Sequence, residues 1–218
     1  MKHIALIVAG GAGTRMQNVV PKQFLLLGGK PVLMHTLEKF AACEVVLVLP
    51  EPHIVYWQLL CEKHGFTQPH TVVAGGSSRS ESVCRGLQHV SDDAVVAIHD
   101  GVRPLVSRSM IEAGFRMAEE KGNALPVIAL TDSIRELTAD GSKAVDRTRY
   151  CLVQTPQVFR AAEIKEAYRH FADEVFTDDA SVLEAYGISL NLYDGETTNI
   201  KITRPADLAL AEALLDEK

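Results

Sequence analysis

A glycine-rich loop beside two cationic side chains is the feature of this sequence best suited to chemistry. The apolar run Ile4-Ala-Leu-Ile-Val8 predicts a buried strand, which leads into Ala9-Gly-Gly-Ala-Gly-Thr-Arg-Met16 and then Pro21-Lys-Gln-Phe24. Glycines let the backbone approach a ligand closely and direct several N–H groups at it. Arg15 and Lys22 add two positive charges. Clustered backbone donors and two cations together predict a receptor for a polyphosphate.

Two familiar glycine-rich motifs do not account for this loop. A dinucleotide-binding fingerprint needs a third glycine where Met16 stands. It also needs an acidic residue that closes the second strand about 20 positions on, whereas the candidate there, Glu51, is about twice that far along. A P-loop continues Gly-Lys with Ser or Thr, but Gly29-Lys30 is followed by Pro31. Taken alone, the loop could also merely turn the chain from strand to helix.

Polar clusters follow two further predicted strands. One strand leads into Gly75-Gly-Ser-Ser-Arg79, with Ser80 and Ser82 close behind, and another leads into His99-Asp-Gly-Val-Arg-Pro104. Ligands of open parallel sheets bind beyond the carboxyl ends of the strands. Asp100 is therefore placed to bind a ribose hydroxyl or a hydrated Mg²⁺, although a turn residue that bonds its own backbone is the alternative. The serines could equally cap a helix.

Later segments add cations and hydroxyls that are ambiguous on their own. Taken alone, Arg147 and Lys201 are each better explained as solvated surface charges. Thr177-Asp-Asp-Ala-Ser181 is typical of a helix N-cap.

Phosphoryl and nucleotidyl transfer suit these residues, because such reactions need positioning and cations over the developing charge more than covalent chemistry. Arg15 and Lys22 suit a triphosphate and its leaving pyrophosphate. Mg²⁺ would bridge phosphate oxygens rather than bind side chains directly. The nucleophile motif Gly-x-Ser-x-Gly is absent, and no histidine has the spacing of a general base. The sequence therefore favours direct displacement at phosphorus.

The elements that position these loops alternate regularly along the chain. Apolar runs predict strands at 4–8, 45–49, 71–74, 94–98 and 124–130, and amphipathic spacing predicts helices at 31–42, 54–64, 80–90, 107–121, 161–171, 178–186 and from 205 onward. Two further extended runs precede the last helix. This order predicts a single α/β domain over 1–218, with a Rossmann-like, mostly parallel sheet covered by helices on both faces.

Residues 132–150 interrupt the alternation. Ser133-Ile-Arg-Glu-Leu137 and Lys143-Ala-Val-Asp-Arg147 are polar, alternating runs joined across Ala139-Asp-Gly141, which is a strong hairpin signal. With few apolar residues, such an arm either lies loose or packs on another copy of the chain. We favour the second alternative, a homodimer.

Composition narrows the partners. The chain has 218 residues, 47% apolar residues and a net charge of −6, so broad nucleic-acid binding is not expected, and local cations must hold any anionic ligand. The N-terminal apolar run is too short for a signal peptide or a membrane span. Four widely spaced cysteines predict reduced, mostly buried thiols in a cytoplasmic protein without a structural zinc site: Cys43, Cys61, Cys84 and Cys151.

Seven motifs in order give the sequence a more specific likeness. They are Ala9-Gly-Gly-Ala-Gly-Thr-Arg-Met16, Pro21-Lys-Gln-Phe24, His99-Asp-Gly-Val-Arg-Pro104, Val145-Asp-Arg147, Gln154-Thr-Pro-Gln157, Thr177-Asp-Asp-Ala-Ser181 and Asn199-Ile-Lys-Ile-Thr-Arg-Pro205. Together they resemble the 2-C-methyl-D-erythritol 4-phosphate cytidylyltransferases. The resemblance implies transfer of CMP from CTP to methylerythritol phosphate, with Mg²⁺ and release of pyrophosphate, in the non-mevalonate route to isoprenoids.

The same resemblance implies roles for individual residues. Arg15 and Lys22 would stabilise the transition state at the α-phosphate, while Arg147 and Lys201 would orient the sugar phosphate. The implied nucleotide-binding residues are Ala9, Gly10, Gly11, Ala12, Gly13, Gly76, Ser77, Ser82 and Asp100. The implied substrate-binding residues are Asp100, Arg103, Ser133, Arg147, Thr155, Thr177 and Lys201. The hairpin arm would reach into a partner subunit, so Arg147 could complete the neighbouring site.

Three departures from the family pattern keep alternatives open. Ala9-Gly10 stands where many members have two alanines, and Ser133 stands where a threonine is frequent. Gly101-Val102 replaces a frequent pair of alanines, and Gly-Val also occurs in the related ribitol 5-phosphate cytidylyltransferases. The last departure leaves a ribitol phosphate acceptor as an alternative. A non-catalytic CTP-binding regulator, which would keep the glycine loop but need no acceptor site, is a separate alternative.

Overall fold

The computed structural model describes residues 1–10, 20–172, 174 and 176–216. Its strands are β1 (Lys2–Val8), β2 (Leu26–Leu27), β3 (Lys30–Pro31), β4 (Glu44–Leu49), β5 (Thr71–Ala74), β6 (Ala94–Asp100), β7 (Asn123–Ala129), β8 (Arg135–Thr138), β9 (Gly141–Ala144), β10 (Cys151–Val153), β11 (Gln157–Arg160) and β12 (Leu192–Asp194). Its helices are α1 (Val32–Lys39), α2 (Ile54–His64), α3 (Arg79–Leu87), α4 (Arg108–Lys121), α5 (Ala161–His170), α6 (Asp179–Ala185) and α7 (Pro205–Asp216).

The central sheet confirms the predicted α/β class. Its strands lie in the order β10, β7, β11, β6, β1, β4, β5, and β12 pairs with β7. Strand β1 is parallel to both β4 and β6, and β4 is parallel to β5. The carboxyl ends of β1, β5 and β6 therefore lie at the same edge of the sheet, where the polar loops of the sequence follow them.

Helices cover both faces because β1 and its neighbours alternate their side chains between two cores. On one face, Ala5 and Ile7 pack in a cluster with Leu37, Trp57 and Phe115, which come from α1, α2 and α4. The opposite cluster contains residues of β1, α3, α5 and α6, namely Ile4, Leu6, Val83, Ile164 and Leu183. Strands buried on both faces explain the continuous apolar runs in the sequence.

An antiparallel strand separates β6 from β7, which the strand–helix alternation does not predict. Strand β11 pairs antiparallel with both neighbours. Val153 of β10 pairs with Val127 and Val158 of β11 pairs with Ala124, so an advance of five residues from β10 to β11 matches three residues of β7. The intervening residues 154–156 leave the regular ladder, and the side chains of Gln154 and Thr155 bond to other partners.

The second predicted extended run near the C-terminus is not a strand. Residues 199–203 are irregular, but the Ile202 N–H donates to the Val102 carbonyl at 2.9 Å. Ile202 is buried in a third cluster with Leu27, Val102 and Ala211, which brings α7 against the short β2–β3 hairpin. This packing fixes the backbone on either side of Lys201.

The short hairpin β2–β3 explains Gly29-Lys30, the pair that does not fit the P-loop motif. Gly28 and Gly29 form its turn with φ of 54° and 80°, in the left-handed region that glycine adopts without strain. Lys30 therefore lies on a strand rather than in a phosphate-binding loop, and its ammonium group contacts Glu38 at 2.5 Å.

The predicted hairpin arm is present as β8 and β9, which pair with each other from Arg135↔Ala144 to Thr138↔Gly141. All eight residues of the two strands are exposed. All four cysteines are free thiols, as predicted, but the expectation that most are buried is wrong. Cys151 is exposed, and the other three are partly buried at the margins of the two core clusters.

No helix among the described residues is both long enough and apolar enough to cross a membrane.

Candidate active site

A polar cleft lies where the carboxyl ends of β1, β5 and β6 meet. The structure brings together on its lining eight of the residues predicted from the sequence: Ala9, Gly10, Lys22, Gly76, Ser77, Ser82, Asp100 and Lys201. They come from five separate stretches of the chain. Convergence of this kind at a strand-end crevice is the usual arrangement of a ligand site in an open α/β sheet.

Asp100 ends β6 and is the electrostatic centre of the described part of the cleft. Its Oδ2 accepts from Lys201 Nζ at 3.0 Å and from Arg103 Nε at 3.1 Å. Burial alone would raise the pKa of this carboxyl, but the positive charges of Lys201, Arg103 and Arg79 hold it well below its usual range. Asp100 therefore stays ionised, and it fixes the position of the Lys201 ammonium group.

Three buried hydrogen bonds hold Asp100 from behind. His99 Nε2 lies 3.2 Å from the Arg103 carbonyl, which can only accept, so Nε2 carries the proton. His99 Nδ1 therefore accepts from the Thr155 hydroxyl at 3.0 Å, and the Thr155 oxygen accepts from the Asp100 N–H at 3.1 Å. This series of hydrogen bonds requires the His99 imidazole to be neutral.

We expect His99 to make stability depend on pH. Burial lowers the pKa of His99 from 6.5 to about 4, outweighing the opposing effect of Asp100. As pH falls below 6.5 the unfolded chain takes up this proton first, so the free energy of unfolding should decrease down to about pH 4, by roughly 1.4 kcal/mol per pH unit at most.

Denaturant titrations of wild type and His99→Gln at several pH values between 7 and 4.5 would measure this dependence. Burial also lowers the pKa of His35, so wild type and variant share that contribution. The variant should show a shallower decrease of stability; parallel curves would contradict the assignment.

Lys22 is positioned by a short 3₁₀ turn that follows Pro21. The next residue, Gln23, is buried and donates from Nε2 to the Ala9 carbonyl at 3.0 Å. This bond attaches the turn to the end of β1. On the other side of Ala9, a Cβ at Gly101 would come 2.7 Å from the Ala9 Cβ. A side chain at 101 would therefore need Ala9 to shift, which gives this departure from the family pattern a structural reason.

The loop after β5 contributes Gly76, Ser77 and Ser82. Ser82 Oγ accepts from the Gly76 N–H at 3.1 Å and donates to the Ser78 carbonyl at 2.8 Å. Because its single hydroxyl proton is used, Ser82 can offer a ligand only an accepting lone pair. Ser77 is held by Glu81, whose carboxylate accepts from the Ser77 N–H at 2.6 Å.

Several predicted site residues lie elsewhere. Arg103 and Thr155 lie behind Asp100 and do not line the cleft; the Arg103 Nη1 donates to the Asn199 carbonyl at 2.8 Å. Ser133, Arg147 and Thr177 are exposed and lie off the described lining, with Arg147 donating to the Thr131 carbonyl. Gly11, Ala12, Gly13 and Arg15 lie outside the described residues. Substrate contact by any of these residues stays a prediction.

Sequence reasoning did not assign a role to Arg79, which the structure places on the cleft lining. Its guanidinium group forms two hydrogen bonds with Asp179, 100 positions later in the chain. An arginine that follows a glycine-serine loop is a weak signal by itself. No local pattern links it to an aspartate so far away.

Comparison with known proteins identifies the family. Residues 3–217 match the family model described as 2-C-methyl-D-erythritol 4-phosphate cytidylyltransferase. The chain belongs to this family.

Individual members of the family resemble the chain over its whole length. The cytidylyltransferase of that name from Porphyromonas gingivalis is 54% identical over 217 residues, which cover 98% of each chain. The one from Bacteroides thetaiotaomicron is 48% identical and covers 99% of this chain and 100% of its own. The crystal structure of the Thermus thermophilus cytidylyltransferase superposes with a TM-score of 0.81 at 34% identity, covering 99% and 100% of the two chains.

Membership confirms the predicted family and the enzyme class, a nucleotidyltransferase of the cytidylyltransferase type. The structural likeness confirms the Rossmann-like fold.

Proposed function

We propose that this chain transfers CMP from CTP to 2-C-methyl-D-erythritol 4-phosphate, giving 4-diphosphocytidyl-2-C-methyl-D-erythritol and pyrophosphate. One observation carries the proposal: the Lys22 and Lys201 segments and the loops after β1, β5 and β6 converge on one cleft in a chain of this family. A purified sample given CTP, Mg²⁺ and the acceptor should form the diphosphate, detected by phosphorus NMR. CTP binding without consumption would instead indicate a regulator.

In this mechanism a phosphate oxygen of the acceptor attacks the α-phosphorus of CTP. The new O–P bond forms as the bond to the β-phosphate oxygen breaks, and pyrophosphate carries away the electron pair. Lys22 places a positive charge at the cleft, where it would stabilise charge developing on the phosphate oxygens. Arg15, from the glycine loop that precedes this turn, would act with Lys22. Such a displacement requires no covalent enzyme intermediate.

Lys201 and Asp100 act as a pair. The carboxylate holds the ammonium group at 3.0 Å, and the buried neighbours Asn199 and Ile202 fix the backbone around it. Lys201 would thereby orient the acceptor phosphate for in-line attack, since accurate positioning supplies much of the rate in reactions of this type. The second oxygen of Asp100 would accept from a ribose hydroxyl.

The donor set of the cleft fits a Mg²⁺ ion carried by the triphosphate. Among the described residues that line the cleft, Asp100 is the one with a carboxylate. One of its oxygens already accepts hydrogen bonds from Lys201 and Arg103. Among the described residues, no group of three or more His, Cys, Asp or Glu could hold a metal. Mg²⁺ bound to the phosphates would neutralise part of their charge, while Lys22 and Lys201 supply the protein's share.

Ser82 provides a means of selecting cytosine. Its free lone pair can accept from an exocyclic amino group, which cytosine has and uracil lacks. A buried hydrogen-bonding site disfavours a ligand that leaves it unpaired. We propose that Ser82, with the Gly76 segment, contributes to the preference for CTP over UTP.

Ser82→Ala should lower the preference for CTP over UTP by about tenfold, which corresponds to about one hydrogen bond. The ratio of kcat/KM for the two nucleotides measures it. Ser80→Ala is the matched control, because Ser80 lies two residues earlier on α3 and off the cleft lining. An unchanged ratio in Ser82→Ala would show that cytosine is recognised elsewhere.

We also propose a homodimer formed through the hairpin arm. The arm makes no ladder with the central sheet, and Leu137 at its outer part is 85% exposed. Tyr150 and Leu152, at the base of the arm, are also exposed. An exposed apolar surface of this kind is typical of a protein–protein contact. Arg147 lies in the same segment, so the arm would carry it to the partner's cleft.

We propose the cytoplasm as the compartment of this protein, because its four cysteines are free thiols.

A further inference from the structure

Arg79 connects the cleft to the protein core through a buried carboxylate. It begins α3 at the cleft lining, and its side chain is 30% exposed. Asp179, the first residue of α6, has no exposed side-chain surface. The two join by a double hydrogen bond, Nη1 to Oδ1 at 3.0 Å and Nη2 to Oδ2 at 2.5 Å. The Tyr168 hydroxyl donates to the same Oδ1 at 2.6 Å.

This geometry restricts how Arg79 can meet a ligand. Both carboxylate oxygens are used, so the guanidinium plane has one orientation. Two of its five N–H groups point at Asp179, which leaves three for other acceptors. Asp179 also balances the positive charge of Arg79. What reaches the cleft is thus an oriented set of donors rather than a mobile cation.

A purely structural role does not explain the pair well. Burying an ion pair costs desolvation energy that its attraction scarcely repays, so apolar residues of similar size would join α3 to α6 at least as well. The neighbouring Asp178 already performs the local structural work. Its Oδ1 caps α6 through the Ser181 N–H at 3.0 Å, and its Oδ2 accepts from Gln157 at 2.8 Å.

We propose that Asp179 is a positioning residue that holds Arg79 in the orientation needed to bind the nucleotide. This inference rests on the proposed function, because the ligand of the cleft is taken to be CTP. Loss of the Asp179 charge frees the guanidinium group to turn, so the effect falls on nucleotide affinity and not on the acceptor.

The test compares Asp179→Asn with wild type for CTP binding by calorimetry without acceptor, and for the KM of each substrate. Asp179→Asn should raise the Kd and KM of CTP by about 10- to 100-fold, a loss similar to that caused by mutating a residue that orients a metal ligand. The KM of the acceptor should change less than twofold. Asp179→Glu, which keeps the charge, should recover most of the CTP affinity.

Asp178→Asn is the matched control, since it removes the acceptor for the Gln157 amide at the start of the same helix without touching Arg79. It should lower the melting temperature and leave the KM of CTP near the wild-type value. Melting curves of all variants establish that each is folded at the assay temperature. If Asp179→Asn is unfolded there, Tyr168→Phe, which removes one bond to Oδ1, should still raise the KM of CTP several-fold.

Two outcomes would overturn the inference: CTP affinity unchanged in a folded Asp179→Asn, or equal increases in the KM of both substrates. Wild-type protein that fails to bind CTP would instead refute the proposed function. The two failures are therefore distinguishable.

Discussion

Replacing Lys22 with alanine should lower the rate of pyrophosphate release by about 10²- to 10³-fold, the usual loss when one charge-stabilising group is removed from a reacting centre. The loss should appear in kcat, because the charge on the phosphate oxygens grows as the transition state forms. The fold should persist, since the substitution keeps Gln23, whose side chain attaches the turn to the Ala9 carbonyl. Steady-state kinetics and a melting curve measure both.

Lys63→Ala is the control, because this exposed lysine lies on α2 and off the cleft lining. It should have wild-type kinetics. Near-normal turnover in Lys22→Ala would show that Lys22 does not take part in catalysis. Stabilisation of the phosphates would then depend on the glycine loop.

Mixing two inactive variants should restore activity if the hairpin arm completes the partner's cleft. We expect Lys22→Ala and Arg147→Ala homodimers each to be nearly inactive. In a heterodimer, one site combines an intact body with an intact arm, and the other carries both substitutions. Because subunits exchange at random in a two-fold dimer, an equal mixture should recover to about one quarter of the wild-type rate.

Differently tagged variants, co-expressed and purified through both tags, would yield the heterodimer directly. Its rate should be about half that of wild type, with one intact site of two. Absence of recovery in a verified heterodimer would place Arg147 in the site of its own subunit. A monomer in sedimentation experiments would refute the arm as a dimer contact.

The sequence predicted the elements because their signals are local. Apolar runs and helical spacing located the strands and helices to within a few residues, and the loops after β1, β5 and β6 met at one edge because parallel strands must end together. Asp100 and Ser82 were found this way, whereas Lys201 was assigned to the site only through the family resemblance. Their roles in catalysis stay predictions.

Contacts between distant segments could not be predicted in the same way. The insertion of β11 between β6 and β7 depends on pairing that no periodicity records. The Arg79–Asp179 pair spans 100 positions, and the bond from Thr155 to His99 spans 56. Thr155 was expected at the substrate through the family resemblance, and no local pattern predicts that its hydroxyl bonds to the Asp100 N–H and to His99. Only the fold shows which polar groups support others.

Pyrophosphate release with two alternative acceptors tests directly whether this chain transfers CMP to 2-C-methyl-D-erythritol 4-phosphate. The purified chain, with CTP and Mg²⁺, would be assayed with 2-C-methyl-D-erythritol 4-phosphate and with ribitol 5-phosphate over the same concentrations. We predict CTP-dependent release with the first acceptor and a kcat/KM at least about 100-fold lower with the second, since discrimination depends on hydroxyl groups that the site must pair. Equal or greater activity with ribitol 5-phosphate, or no release with either acceptor, would contradict the account.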